Sequence, residues 1–203
     1  TLMLWSFVVA SILIELTPGP NMTWLAVLGA ARGRVVALAA VAGICLGLAI
    51  AGIVADIGLT AVLTQWPALF QAMRWLGALY LFYLAWDAWR DADSLENAFE
   101  GGAARAFQQG LISNILNPKA YLFYAAVLPQ FVSSATPTVA EIAWLTGIYV
   151  AVATIIHAII ATLSGSLSEF LKSSPHAVTI RKVLAVLIAI AAIWFFYSTK
   201  VTQ

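Results

Sequence analysis

Long apolar runs separated by short polar segments make up most of this chain. Residues 35–55 and 183–199 contain no charged residue, and residues 142–163 hold His157 but no Asp, Glu, Lys or Arg. Residues 66–89 begin and end with tryptophan, a side chain that favours the membrane–water interface. A membrane-spanning helix needs about 20 mostly apolar residues, so each of these runs predicts a transmembrane helix.

Two further apolar stretches are interrupted by proline and polar residues. Residues 2–31 contain Glu15 and Pro18-Gly19-Pro20, and the first half of residues 106–132 contains several amides and Lys119. We therefore predict an all-α polytopic membrane protein, a single transmembrane domain over residues 1–203. Its six predicted helices are residues 2–31, 35–58, 66–89, 106–132, 139–163 and 177–200.

Composition supports this class and excludes others. The chain is 63% hydrophobic and 9% charged, with a mean hydropathy of +0.95 and a net charge of +1. Soluble domains are about 45–50% apolar and about 25% charged. These values exclude a soluble domain, a disordered chain and a nucleic-acid binder, and the single cysteine, Cys45, excludes a disulfide scaffold. The N-terminal run has no basic region before it, so we do not expect a signal peptide.

The basic residues predict an orientation. They fall on one side of the predicted topology, whereas the other side has only Lys200 near the tail. Cytoplasmic loops are enriched in Lys and Arg, so we expect both termini on the outer side of a bacterial cytoplasmic membrane. The seven basic residues are Arg32, Arg34, Arg90, Arg105, Lys172, Arg181 and Lys182.

The two halves of the chain resemble each other. Leu16-Thr17-Pro18 matches Leu116-Asn117-Pro118, and Gly43 and Gly47 match Gly147 and Ala151. We predict repeat 1 over about residues 1–90, a cytoplasmic loop over about 90–105, and repeat 2 over about 106–203. Because each repeat has three spans, the two copies are inverted in the membrane.

The paired prolines indicate where a ligand binds. Proline removes a backbone donor and clashes with the preceding helical turn, so helices 1 and 4 are expected to break at Pro18 and Pro118. Interrupted helices at matching positions of two inverted repeats point to a transporter's binding site. The alternative is a purely structural kink in each helix.

Several motifs together resemble the LysE/RhtB family of bacterial amino-acid exporters. The likeness extends over nearly the whole chain. The matching segments are Leu16-Thr17-Pro18-Gly19-Pro20-Asn21-Met22, Trp75-Leu76-Gly77-Ala78-Leu79-Tyr80-Leu81, Asn117-Pro118-Lys119-Ala120 and Leu128-Pro129-Gln130-Phe131. The resemblance implies a six-helix secondary carrier that expels amino acids or close derivatives, driven by the proton gradient. Leu48 departs from the family pattern, in which a polar residue often follows the glycine matching Gly47, and this leaves the substrate open.

A broken helix can hold both ends of a zwitterionic amino acid. The free amides after Pro20 favour a carboxylate, and the carbonyls of residues 15–17 can accept an ammonium group. Thr17, Asn21 and Asn117 either cap the breaks or contact the substrate. The predicted substrate-binding residues are Thr17, Pro18, Gly19, Pro20, Asn21, Asn117, Pro118 and Lys119.

Charges near the middle of the bilayer are candidates for function. Glu15 is predicted to carry the proton. Lys119 is predicted to hold the substrate carboxylate or to neutralise Glu15 when the site is empty; the alternative is a static Glu15–Lys119 ion pair. His157 is either a proton relay or a hydrogen-bonded packing residue.

Other residues are assigned to structure. Asp56 and Arg74 form a structural pair or, second, a gate. Small residues at every fourth position, including Gly43, Gly47 and Ala51, form a packing face, either within one chain or across a homodimer.

Two other functional classes remain open. One is a passive channel or structural membrane subunit. The other is an intramembrane hydrolase built from Ser164, Ser166, His157 and Glu169, although the Gly-x-Ser-x-Gly motif is absent. We expect no catalytic residue, metal ion, cofactor or nucleic-acid partner; the expected partners are an amino acid, protons and lipid.

Overall fold

The part of the chain that the structure describes consists almost entirely of helices. The computed structural model describes residues 2–55, 67–93, 102–133 and 138–198, and no strand occurs among them. The helices are α1 (Leu2–Leu16), α2 (Pro20–Arg32), α3 (Arg34–Val54), α4 (Pro67–Arg90), α5 (Gly102–Ile115), α6 (Pro118–Leu122), α7 (Val139–Lys172) and α8 (Ala177–Ser198). The predicted all-α class is therefore confirmed.

The first predicted helix breaks where its prolines lie. α1 ends at Leu16, and α2 begins at Pro20 after Gly19, whose backbone is extended at φ −142° and ψ 166°. The two pieces are bent by 64°. Pro20 occupies the first position of a helix, where its missing N–H costs no hydrogen bond.

The fourth predicted helix breaks in the same manner. α5 ends at Ile115, and Asn117 takes an extended conformation before Pro118 begins α6. The side chain of Asn117 accepts a hydrogen bond from the Lys119 amide at 3.1 Å, which satisfies one of the free donors at the start of α6. After Leu122 the chain continues through a π turn (Phe123–Val127) and a 3-10 turn (Leu128–Phe131).

Two helix boundaries differ from the sequence prediction or could not be located from it. α2 and α3 are separated by Gly33 alone, whose φ of +93° favours glycine. α7 continues from its predicted end at Leu163 to Lys172. The hydroxyl of Ser166 donates to the Thr162 carbonyl one turn earlier at 2.9 Å. The polar side chain of this serine is therefore bonded within the helix and does not end it.

The surface of the bundle is apolar. Large side chains point outward from most helices, including Trp5 (69% exposed) and Trp86 (63% exposed). Contiguous exposed apolar surface marks an interaction site, here with lipid. Among the described residues, α3, α7 and α8 are each long and apolar enough to span a membrane, and α1 with α2 qualifies as one bent span. The predicted third and fourth spans, with the inverted repeat, remain predictions.

Two helix crossings bring backbones into direct contact. A Cβ on Gly43 of α3 would collide with the Phe107 carbonyl of α5, and one on Gly110 would collide with the Ala40 carbonyl. At the other crossing, between α2 and α7, a Cβ on Gly29 would collide with the Ser164 hydroxyl. Gly43 and Gly47 thus face α5 of the same chain, and Ala51 is fully buried.

Candidate functional site

The two helix breaks lie next to each other inside the bundle. The end of α1 and the starts of α2 and α6 surround a small cavity of about 20 Å³. This is enough space for about one water molecule. Its polar side chains come from five helices and from the break between α5 and α6. They are Glu15, Asn21, Asn114, Asn117, Lys119, Tyr149 and His157.

Glu15 is a buried carboxylate with partners on α7. It is 6% exposed, and its Oε1 accepts a hydrogen bond from the Tyr149 hydroxyl at 2.6 Å. Its Oε2 lies 3.9 Å from Nδ1 of His157. That same nitrogen lies 2.7 Å from the Ala153 carbonyl. Because a carbonyl can only accept, Nδ1 of His157 carries a proton.

Lys119 binds the end of α1. Its ammonium donates to the carbonyls of Ile14 at 2.7 Å and Thr17 at 3.2 Å. The Ile14 carbonyl also accepts from the Thr17 amide at 3.2 Å. Both carbonyls lie at the C-terminal end of α1, where helix carbonyls lack full intrahelical bonding and the helix dipole favours a cation. Among the described residues, no ion pair within 4.0 Å joins Lys119 to Glu15. The static ion pair considered from the sequence is therefore not formed in this structure.

A chain of hydrogen bonds connects α5 with the start of α2. The Ser113 hydroxyl donates to Oδ1 of Asn21 at 2.6 Å, and Nδ2 of Asn21 donates to Oδ1 of Asn114 at 3.1 Å. Nδ2 of Asn114 is buried and has no hydrogen-bond partner. A buried donor without a partner costs about 1–3 kcal/mol, so this amide is available to bind a ligand at the cavity.

Asn114 and Tyr149 were missed in the sequence analysis. A polar residue one turn before the Asn117 break was the available signal for Asn114. Tyr149 is 1% exposed, and its ring stacks on Phe123 with centroids 3.5 Å apart. An aromatic residue in an apolar run is indistinguishable from a packing residue until its hydroxyl is seen to reach Glu15.

The remaining predicted site residues lie around the breaks. Thr17 and Pro18 are exposed, and the Thr17 hydroxyl donates to the Leu13 carbonyl at 3.0 Å. Gly19 is buried, and its carbonyl accepts from the Thr23 hydroxyl at 3.2 Å. Pro20 and Pro118 begin α2 and α6 and are buried.

Arg74 lies away from this cavity. It is 3% exposed, and it donates to Oε1 of Gln71 at 2.5 Å and to the Phe196 carbonyl of α8. Its guanidinium also lies over the Phe196 ring, 4.7 Å from the centroid. Asp56, its predicted partner, lies outside the described residues.

The residues considered for a hydrolase do not form a catalytic arrangement. The Ser164 hydroxyl donates to the Ala161 carbonyl at 3.4 Å, and the Ser166 hydroxyl accepts from Arg34 at 2.7 Å. His157 precedes Ser164 by seven residues on the same helix, about two turns or roughly 10 Å. That distance is too long for a nucleophile–base hydrogen bond.

The fold and this site define a class of protein. Long apolar helices with an apolar surface enclose polar groups gathered at two helix breaks, which is the pattern of a membrane protein with a polar site in its interior. A family model described as LysE type translocator matches residues 12–199. The chain belongs to this family, and the resemblance noted in the sequence is confirmed.

Individual relatives agree with the family. A leucine efflux protein of Enterobacter sp. (strain 638) is 34% identical over 139 residues, 66% of each chain. A homoserine/homoserine lactone efflux protein of Salmonella typhimurium is 26% identical over 181 residues, 88% of each chain. An uncharacterized membrane protein of Pseudomonas aeruginosa is 32% identical over 136 residues, 63% of each chain.

The matches cover different shares of these relatives. The chain spans just under two thirds of the leucine efflux and Pseudomonas proteins that it matches. No solved structure matches it. The relatives with functional names are efflux proteins, and none is named as an enzyme.

Proposed function

We propose that this protein is a secondary active exporter of neutral amino acids or close derivatives across the bacterial cytoplasmic membrane. The observation that carries the proposal is the convergence of Glu15, Asn114 and Lys119 at two broken helix ends. These groups offer a carboxylate, a free amide donor and an ammonium, which together match a zwitterion. The relatives named for leucine and homoserine efflux favour a neutral substrate.

The two ends of the substrate bind at different helix ends. Its carboxylate lies at the start of α2, where it accepts from Nδ2 of Asn114 and is favoured by the helix dipole. Its ammonium lies at the end of α1, near the Ile14 and Thr17 carbonyls. Lys119 fills that position in this conformation. Lys119 therefore acts as a substitute for the substrate's ammonium, and it moves to the substrate's carboxylate on binding.

Glu15 couples transport to the proton gradient. Antiport requires that binding of the proton and binding of the substrate exclude each other. A carboxylate beside the ammonium position meets this requirement, because protonation removes the charge that attracts the ammonium. Tyr149 and His157 orient this carboxylate, and His157 relays protons to it.

Alternating access takes place between two inverted repeats of three spans. The packing supports this arrangement: α3 packs on α7 and α4 packs on α8, which pairs the equivalent second and third spans of the two repeats. The broken helix of each repeat also packs against the second span of the other, as α2 does on α7 and α5 on α3. The basic loops face the cytoplasm, with both termini outside.

Export of L-leucine from proteoliposomes tests this function. We expect efflux that accelerates when a proton gradient is imposed, and Glu15→Gln should abolish this acceleration. Efflux at the same rate with and without the gradient would support a channel instead. If neither leucine nor homoserine is exported from liposomes that contain folded protein, the proposal is wrong.

A further inference from the structure

A second, larger cavity lies toward one end of the bundle. It has a volume of about 310 Å³, at the lower end of the range of small-molecule pockets, about 300–1,000 Å³. It lies between the C-terminal parts of α2 and α4 and the N-terminal halves of α5 and α8. This is the end that carries most of the basic residues.

Both of its aspartates have partners. Asp91 pairs with Arg32, and Asp87 pairs with Arg105. Asp87 also accepts from the Gln109 amide at 2.9 Å. The acidic groups of the cavity are thus occupied by the protein itself.

The arginines outnumber these acids. Arg181 and Arg90 also line the cavity, which gives its described lining four arginines and two aspartates. Among the described residues, no ion pair within 4.0 Å joins Arg181 to a carboxylate. Within this described lining, the excess of arginine over aspartate attracts a carboxylate and repels a cationic side chain.

The other wall of the cavity is apolar. Trp24, Leu84 and Ile188 line it and are at most 3% exposed. An apolar wall facing Arg181, which has no carboxylate within 4.0 Å in the part of the chain that the structure describes, matches a molecule with a carboxylate at one end and an apolar side chain at the other. A neutral, apolar amino acid has this form, whereas lysine or arginine would bring a further positive charge.

The cavity lies close to the central site. Trp24 follows Asn21 by three residues on α2, and Gln109 precedes Ser113 by four residues on α5. Each separation is about one helical turn, roughly 5 Å along the axis. Since Asn21 and Ser113 hydrogen-bond to each other at 2.6 Å, about one layer of side chains separates the two cavities.

We propose that this cavity is a second amino-acid site, which binds a neutral apolar amino acid before it enters the central site. Arg181 binds the carboxylate, and Trp24 and Leu84 contact the side chain. The inference rests on the proposed function, and it narrows the substrate class to neutral apolar amino acids. The central cavity holds about one water molecule, so of these two cavities the larger is the one with room for an amino acid in this conformation.

Calorimetric binding of L-leucine to purified protein tests the second site. The background variant is Asn114→Asp, which places a carboxylate where the central site needs a donor. We expect this variant to bind leucine still, and the added change Arg181→Gln to weaken binding about tenfold or more, the size expected for a lost charge-assisted hydrogen bond. Arg181→Lys, which keeps the positive charge, should retain most of the leucine affinity.

Lys182→Gln is the matched control. It removes a neighbouring positive charge that lies over the Trp89 ring, 5.5 Å from the centroid, and that does not line the cavity. Equal effects of Arg181→Gln and Lys182→Gln would overturn the inference, as would an Asn114→Asp protein that is folded and binds no leucine. L-lysine should not displace leucine, and displacement at equal concentration would refute the charge argument.

Failure of this site and failure of the proposed function are distinguishable. Leucine that binds wild-type protein in an Arg181-dependent manner but is not exported would refute the exporter and leave the site intact. Leucine export with binding unaffected by Arg181→Gln would refute the site and leave the exporter intact.

Discussion

Two glycines that the sequence pairs across the repeats should respond oppositely to alanine. Gly43 on α3 lies against α5, and an added Cβ there would collide with the Phe107 carbonyl and lie 2.9 Å from the Leu111 amide nitrogen. Gly147 on α7 is exposed, and a Cβ there would meet nothing within 4 Å among the described residues.

The magnitudes follow from these surroundings. Overpacking lowers the free energy of unfolding by about 1–3 kcal/mol. Because backbone atoms cannot rotate aside as a side chain can, the loss for Gly43→Ala should lie near the upper end of that range. Alanine regains up to about 1 kcal/mol of helix propensity, which leaves a net loss of about 2 kcal/mol. Gly147→Ala keeps only the propensity gain of about 0.5–1 kcal/mol.

Thermal unfolding of the purified protein in detergent measures both effects. At about 2–4 °C per kcal/mol for a chain of this size, Gly43→Ala should lower the unfolding temperature by about 4–8 °C. Gly147→Ala should raise it by about 1–4 °C. An unfolding temperature for Gly43→Ala equal to that of the wild type would refute the close approach of α3 and α5. A loss at Gly147 as large as at Gly43 would show that the two positions are packed alike.

Three further predictions concern the central site. Glu15→Gln should remove the dependence of leucine efflux on the proton gradient. Tyr149→Phe keeps the ring stacked on Phe123, so it should slow efflux and retain the gradient dependence. Equal loss of the gradient dependence in both variants would contradict a distinct coupling role for Glu15. Asn114→Asp keeps the acceptor for Asn21 but loses the free donor. The leucine KM should therefore rise about tenfold or more, the value of one hydrogen bond to a charged group. An unchanged KM would mean that the substrate's carboxylate binds elsewhere. Lys119→Met should raise the KM of leucine efflux, and an unchanged KM would make Lys119 a structural cap of α1.

The predicted helix positions agree with the structure because their signals are local. Pro18, Gly19 and Pro20 break the first helix in any surroundings, since the lost donors and the steric clash belong to the proline rings. Asn117 and Pro118 act in the same way at the second break. The end of α7 was predicted too early, because an apolar run measures the length inside a membrane, whereas a helix continues through polar residues until a residue stops it.

The candidate site was only partly predictable. Glu15 and Lys119 stand out because charge is rare in this chain, and the structure places both at the same cavity. Their ion pair was a reasonable alternative, but Lys119 instead donates to the carbonyls of Ile14 and Thr17. Lys119 reaches those carbonyls only because α1 ends beside the start of α6, and a one-dimensional sequence does not contain that proximity.

The sequence by itself determined the class of protein, the position of its helices, both breaks and the family. Each of these depends on residues close together in the chain: the length of an apolar run, the chemistry of proline, or a short motif. Only the tertiary structure decided that Asn21 joins Ser113 and Asn114, that Tyr149 reaches Glu15, and that Gly43 is packed while Gly147 is exposed. The physical reason is that nearly every residue of an apolar helix suits both lipid and protein neighbours, so the apolar pattern does not specify which helix faces which. That choice is made by the fit of whole helix surfaces, over separations of about a hundred residues.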